Sequence, residues 1–115
     1  DEVDSKLNGI KGGGGALLYE KIVAKSSNRN IWMVDSSKFV DQLGKFPLPV
    51  EVIPFGAEQL YKKLDLKGFN PAFRMVEESY FITDGGHHII DLRLNKIDNI
   101  IELNQELSSI PGIVI

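Results

Sequence analysis

Lys11 and the four glycines that follow it, Gly12 to Gly15, form the first stretch suited to chemistry. Glycine lets a backbone approach a ligand without a Cβ in the way, and a helix starting just afterwards aims its free amides and positive end at an anion. The lysine precedes the glycines and no Gly-Lys-Ser/Thr follows, so this is not a Walker loop. On residue types alone, a flexible linker or a close-packed helix start is slightly favoured. Glu20, nine residues after Lys11, is the second candidate. A carboxylate near a helix start is stabilised there, and partial burial tunes such a group into a base. Taken alone, Glu20-Lys21 reads more readily as a solvent-facing pair. Lys38, after Asp35-Ser36-Ser37, is placed to hold a phosphate or hydroxyl, although a surface-loop lysine is the commoner explanation. Asp35 either pairs with Lys38 or caps the next helix.

Other polar groups invite less. Asp1, Glu2 and Asp4 make an acidic start with no histidine nearby, which favours a solvated segment over a metal site. His87 and His88 are adjacent, and neighbouring residues of a strand point to opposite faces, so they read as structural. Trp32 and the other aromatics read as core. The absence of cysteine excludes disulfides and thiolate metal sites. A net charge of −3 argues against a nucleic-acid binder, which carries a basic stripe. No apolar run approaches the roughly 18 residues of a membrane span and no signal-peptide pattern is present, so a cytoplasmic location is expected.

These residues need elements to hold them. Ala16, Leu17, Leu18, Ile22, Val23 and Ala24 predict a helix to about Lys25, followed by a loop over Ser26 to Asn30. The apolar run Ile31-Trp32-Met33-Val34, between Asn30 and Asp35, predicts a buried strand. Loop, helix and strand in that order suggest part of an α/β layer.

A second region starts near Lys45-Phe46-Pro47-Leu48-Pro49, where the prolines impose an extended path. Val50 to Ile53 predicts a strand, and Ala57, Leu60, Tyr61 and Leu64 mark an amphipathic helix. Phe73 to Thr83 holds one or two strands interrupted at Glu77-Glu78-Ser79. The Asp84-Gly85-Gly86 turn then leads into a strand within His87 to Leu94. Asn99 and Glu102 resemble a capping box before the stripe Ile100, Leu103, Leu107, Ile110, which Pro111-Gly112 stops. From Val50 to Ile115 the order is β-α-β-β-α-β, a ferredoxin-like arrangement. Beginning at Asp1 rather than Met, and ending in a strand-like Gly112-Ile113-Val114-Ile115, the sequence suggests a piece of a longer protein.

Together, several segments resemble the type A ribose-5-phosphate isomerase family. They are Asp1-Glu2, Ile10-Lys11-Gly12-Gly13-Gly14, Glu20-Lys21-Ile22, Asp35-Ser36-Ser37-Lys38 and above all the Gly44-Lys45-Phe46-Pro47-Leu48-Pro49-Val50-Glu51-Val52 run. The similarity extends over essentially the whole sequence, including the Asp84-Gly85 turn and the Ile110-Pro111-Gly112 stop. It implies an α/β fold in which residues 1–49 are the C-terminal portion of a Rossmann-like catalytic domain. Residues 50–115 would be a ferredoxin-like subdomain involved in subunit contacts.

The resemblance also implies interconversion of ribose 5-phosphate and ribulose 5-phosphate without metal or organic cofactor, in a homodimer or homotetramer that binds neither nucleic acid nor membrane. By position, Glu20 matches the proton-transferring base and Asp1 the last aspartate of an Asp-Gly-Ala-Asp motif that contacts sugar oxygens. Lys11, Gly12, Gly13 and Gly14 match a substrate-binding loop, and Lys38 another substrate-binding lysine. Gly15 stands where the family often has alanine, a change expected only to loosen the helix start. The family's Thr-Gly-Ser-Thr-type phosphate loop and the first aspartate of its motif are not in this sequence. The 115 residues alone are therefore expected to be inactive. The alternative from a different class is a non-catalytic ferredoxin-like module that binds a ligand or assists assembly.

Overall fold

The computed structural model describes residues 1–115. Its main sheet has three hydrogen-bonded strands in the order β3 (Leu48–Val52), β7 (His88–Leu92), β4 (Pro71–Phe73). Both outer strands run antiparallel to β7, in the registers Val50↔Ile90 and Phe73↔Ile90. β3 and β4 are thus parallel to each other with β7 inserted between them, and α2 (Ala57–Leu66) makes the crossover. After α3 (Ile100–Ser108), the chain returns to the free edge of β3. There Ile113 bridges Val52, and the Glu51 amide donates to the Ile115 carbonyl at 2.8 Å. The spatial order is therefore C-terminal segment, β3, β7, β4, which is the ferredoxin-like arrangement expected from the sequence.

Period-two alternation divides this sheet into two functional faces. Val50, Val52, Ile90 and Leu92 point to one side, where Ala57, Leu60 and Leu64 of α2 and Leu107 of α3 cover them. Asn99 caps α3 by accepting from the Glu102 amide at 3.0 Å, as the capping-box spacing predicts. The intervening positions Glu51, Ile89 and Asp91 face the other side, and so does Arg74, one residue past Phe73. Glu77 and Glu78 form the turn of a hairpin between β5 (Met75–Val76) and β6 (Ser79–Tyr80), which explains the interruption there.

Residues before β3 lie on the second face. A short ribbon pairs β1 (Glu2–Val3) with β2 (Gly9–Ile10), and α1 (Leu17–Ser26) follows the glycines. Ile10, Leu43 and Ile97 form a small buried cluster whose flanking residues Leu48, Leu94 and Leu103 also border the main core. The predicted strand over 30–35 does not form: the segment is irregular and Met33 is 93% exposed. A strand is held by ladder hydrogen bonds to a neighbour, and none of the seven strands pairs with this run. Trp32 is half-exposed against Gly9, and Phe39 and Phe55 are exposed, so these aromatics are not core. No helix is long and apolar enough to cross a membrane.

Candidate active site

The Lys11–Gly15 loop is shaped from three directions. Gly13 donates its amide to Asp1 Oδ2 at 2.7 Å, and a Cβ there would stand 2.7 Å from Asp1 Oδ1. Gly15 turns the chain into α1 at φ +94°, with its amide donating to the Gly12 carbonyl at 2.9 Å. A Cβ at Gly15 would lie 2.5 Å from the Phe81 ring. Gly15 is therefore more than a loosened helix start: this conformation disfavours any side chain, so the expectation drawn from the family's alanine is corrected. Behind the loop, Arg74 Nη1 donates to the carbonyls of Gly12 (3.3 Å) and Gly13 (3.1 Å).

Lys11 and Glu20 come together because α1 starts directly after the loop. Lys11 Nζ lies 4.0 Å from Glu20 Oε2 and donates to the Leu17 carbonyl at 2.6 Å. Burial lowers the Lys11 pKa from its ordinary 10.5; Glu20 opposes this, Lys21 reinforces it and Glu51 opposes it again. Glu20 sits in the first turn of α1 with 48% of its side chain exposed. Its side chain is therefore only about half covered within this chain.

Lys38 is half-buried at the end of a 3-10 turn, Ser36–Lys38, whose N-cap is Asp35. Asp35 accepts from the Ser37 amide at 3.0 Å and from the Ser37 hydroxyl. These hydrogen bonds from Ser37, the hydroxyl first, hold its carboxyl below the usual range, with Lys38 adding a smaller effect against burial.

The other acidic groups are not a solvated segment, as the sequence suggested. Glu2 and Asp4 are both buried. Glu2 Oε1 accepts from the Gly44 amide at 2.9 Å, and Asp4 accepts from the amides of Lys6 (3.0 Å) and Asn8 (2.9 Å). A hairpin needs acceptors for its turn amides, which Asp4 supplies, while Glu2 ties β1 to the distant segment at Gly44. With Asp1 on Gly13, the three acids serve three separate backbone sites.

Sequence reasoning missed the groups on the loop-facing side of the sheet. Asp91 holds Arg74 with a two-pronged pair, Nε to Oδ2 at 3.0 Å and Nη2 to Oδ1 at 2.6 Å. Glu51, 1% exposed, accepts at Oε2 from Thr83 Oγ1 (3.1 Å) and lies 2.8 Å from His87 Nδ1. His88 instead packs edge-on against Tyr80 and Phe73 on the other face, as the alternation of adjacent histidines requires. The only signal available for Glu51 and Asp91 was a charge at alternate positions of apolar strands. A cleft of about 620 Å³ between α1 and the β3–α3 surface takes in Lys11, but its walls are mainly apolar. Asp1, Glu20 and Lys38 lie outside it, so it is not where these polar groups converge.

Fold and site define an α/β chain whose ferredoxin-like sheet backs a lysine–glycine loop facing a helix-borne carboxylate. The chain belongs to the ribose 5-phosphate isomerase A (phosphoriboisomerase A) family, whose sequence profile matches residues 1–115. It is 56% identical over 115 residues to ribose-5-phosphate isomerase A of Streptococcus thermophilus, covering 99% of this chain and 51% of that relative. The solved ribose 5-phosphate isomerase A of Methanocaldococcus jannaschii superposes with a TM-score of 0.90 at 43% identity, over 99% of this chain and 52% of the other. A solved D-ribose-5-phosphate isomerase in complex with phospho-erythronic acid gives 0.87 at 39%, over 99% and 51% respectively. The chain spans about half the length of the curated relatives it matches.

Proposed function

We propose that this chain carries the proton-transfer site of an aldose–ketose isomerase that interconverts D-ribose 5-phosphate and D-ribulose 5-phosphate. The observation that carries the reading is the 4.0 Å approach of Lys11 Nζ to Glu20 Oε2 beside a glycine loop, in a chain of this family. Moving a carbonyl between adjacent carbons means taking a proton from one and returning it to the other through an enediolate. A single carboxylate over both carbons performs both transfers, and Glu20 is that acid and base. Lys11 supplies positive charge to the developing oxyanion; losing one such preorganised donor costs on the order of 10²–10³ in turnover. Asp1 contacts sugar oxygens, Gly12, Gly13 and Gly14 with Lys11 form the substrate-binding loop, and Lys38 holds the phosphate or a hydroxyl. A phosphorylated sugar acid bound by one solved relative supports that class of ligand. The chemistry requires no metal or organic cofactor.

In this reading residues 1–49 are the C-terminal portion of a Rossmann-like catalytic domain and residues 50–115 a ferredoxin-like subdomain. The enzyme acts in the cytoplasm as a homodimer or homotetramer through the latter. The test is Glu20→Gln in the full-length protein. Turnover should fall by at least about 10²-fold, while ribose 5-phosphate binding measured by calorimetry survives. Turnover at the parent rate removes Glu20 from its role. The 48% exposure of Glu20 favours a second reading for the 115 residues in isolation: sugar-phosphate binding without turnover.

A further inference from the structure

We infer that Arg74, held by Asp91, is a positioning residue that sets which way the peptide groups of the glycine loop face. In a trans peptide the carbonyl and the following N–H point in opposite directions. Arg74 Nη1 draws the carbonyls of both Gly12 and Gly13 to the sheet side of the loop. The amides of Gly13 and Gly14 must then face away from the sheet. The Gly13 amide meets Asp1 at 2.7 Å. The Gly14 amide has no acceptor in the chain, and nothing lies within 4 Å of where a Gly14 Cβ would be. It is a donor left without a partner in the chain.

The clamp is built for this orientation rather than for charge alone. Arg74 spends Nε and Nη2 on Asp91, at 3.0 and 2.6 Å, which leaves Nη1 for the loop. The planar fork satisfies a carboxylate and two carbonyls together, which a lysine ammonium does not do in that geometry. Both side chains are largely buried, at 18% and 20% exposure. The Phe81 ring lies 6.0 Å from the guanidinium carbon and also abuts Gly15, so one aromatic braces the clamp and the loop. Arg74 is itself fixed by backbone bonds to the Ile89 carbonyl and from the Phe81 amide, both 2.8 Å. The sheet thereby orients a loop more than sixty residues earlier in the chain.

The kinetic consequence rests on the isomerase reading; the conformational one does not. Arg74→Ala and Arg74→Lys are made in the full-length protein and compared with Glu20→Gln. Hydrogen exchange of the peptide over residues 11–17, without substrate, should speed up by about tenfold or more in both Arg74 variants. The strands and α2 should stay at parent protection, and Glu20→Gln should leave the loop unchanged. In turnover, both Arg74 variants should raise KM by about tenfold or more, a loss matching one charge-assisted hydrogen bond. Millimolar guanidinium should partly restore Arg74→Ala. Parent-like loop exchange in both variants overturns the clamp, whatever the enzyme does. So does loosening of loop and sheet together without a selective KM effect, which would make Arg74 only structural. If Arg74→Ala fails to fold, Arg74→Lys decides by the same measures. Parent-rate turnover in Glu20→Gln overturns the isomerase reading and leaves the exchange result to judge the clamp.

Discussion

Gly15→Ala probes whether the loop conformation is imposed by the surrounding structure. At φ +94° an alanine suffers backbone strain of about 1–2 kcal/mol, because its Cβ crowds the neighbouring carbonyl. That Cβ would also stand 2.5 Å from the Phe81 ring, well inside the usual carbon–carbon separation of about 3.5–4.0 Å. Phe81 has little freedom to retreat, since its amide is bonded to the Arg74 carbonyl at 2.8 Å and its ring lies beside the guanidinium. Overpacking of this kind costs about 1–3 kcal/mol. The two effects sum to about 2–5 kcal/mol of lost stability. Urea unfolding of the full-length protein reads this as a fall in midpoint at constant slope. In a Phe81→Leu background the clash is relieved and about 1–2 kcal/mol of strain should remain, so the cycle separates the two causes. A Gly15→Ala variant within about 0.5 kcal/mol of the parent would refute the reasoning, because neither the left-handed turn nor the Phe81 contact would then be enforced.

Two further outcomes follow from burial. Leu64 is fully buried between α2 and the sheet, and Leu64→Ala should cost about 2–5 kcal/mol in the same unfolding measurement. Burial, with Lys21 assisting against Glu20 and Glu51, lowers the Lys11 pKa from 10.5. The unfolded chain therefore binds more protons than the folded one as pH approaches 10.5 from below, so stability attributable to Lys11 rises with pH through that window. Replacing Lys11 by Gln should flatten this rise in urea midpoints measured across alkaline pH, and an unchanged slope would contradict it.

Local chemistry was legible wherever neighbours in sequence are also neighbours in space. The α1 start, the Asn99 cap and the Thr83–Gly86 turn all depend on bonds spanning a few residues, such as the Gly86 amide to the Thr83 carbonyl at 2.9 Å. The β-α-β-β-α-β order followed from periodicity, because alternation and helical stripes are written directly into residue type. The Asn30–Asp35 run misled for a related reason. Its composition suits a buried strand, but a strand also needs a neighbour to bond, and composition does not show whether one is present. Glu20 was found by its place after the glycines, whereas its exposure depends on what lies over α1.

From residue order alone came the Lys11–Gly15 loop, the helix that brings Glu20 back toward Lys11, and the family to which the chain belongs. These depend on short separations and on residue identities. Tertiary structure alone decided the direction in which the loop's amides point and what supports them. Arg74, Asp91 and Glu51 reach the front of the chain only because strand alternation turns them to the face opposite α2 and α3, and Phe81 follows by its amide bond to Arg74. That face exists only once β7 is inserted between β3 and β4, a pairing between distant segments that no single stretch of sequence encodes.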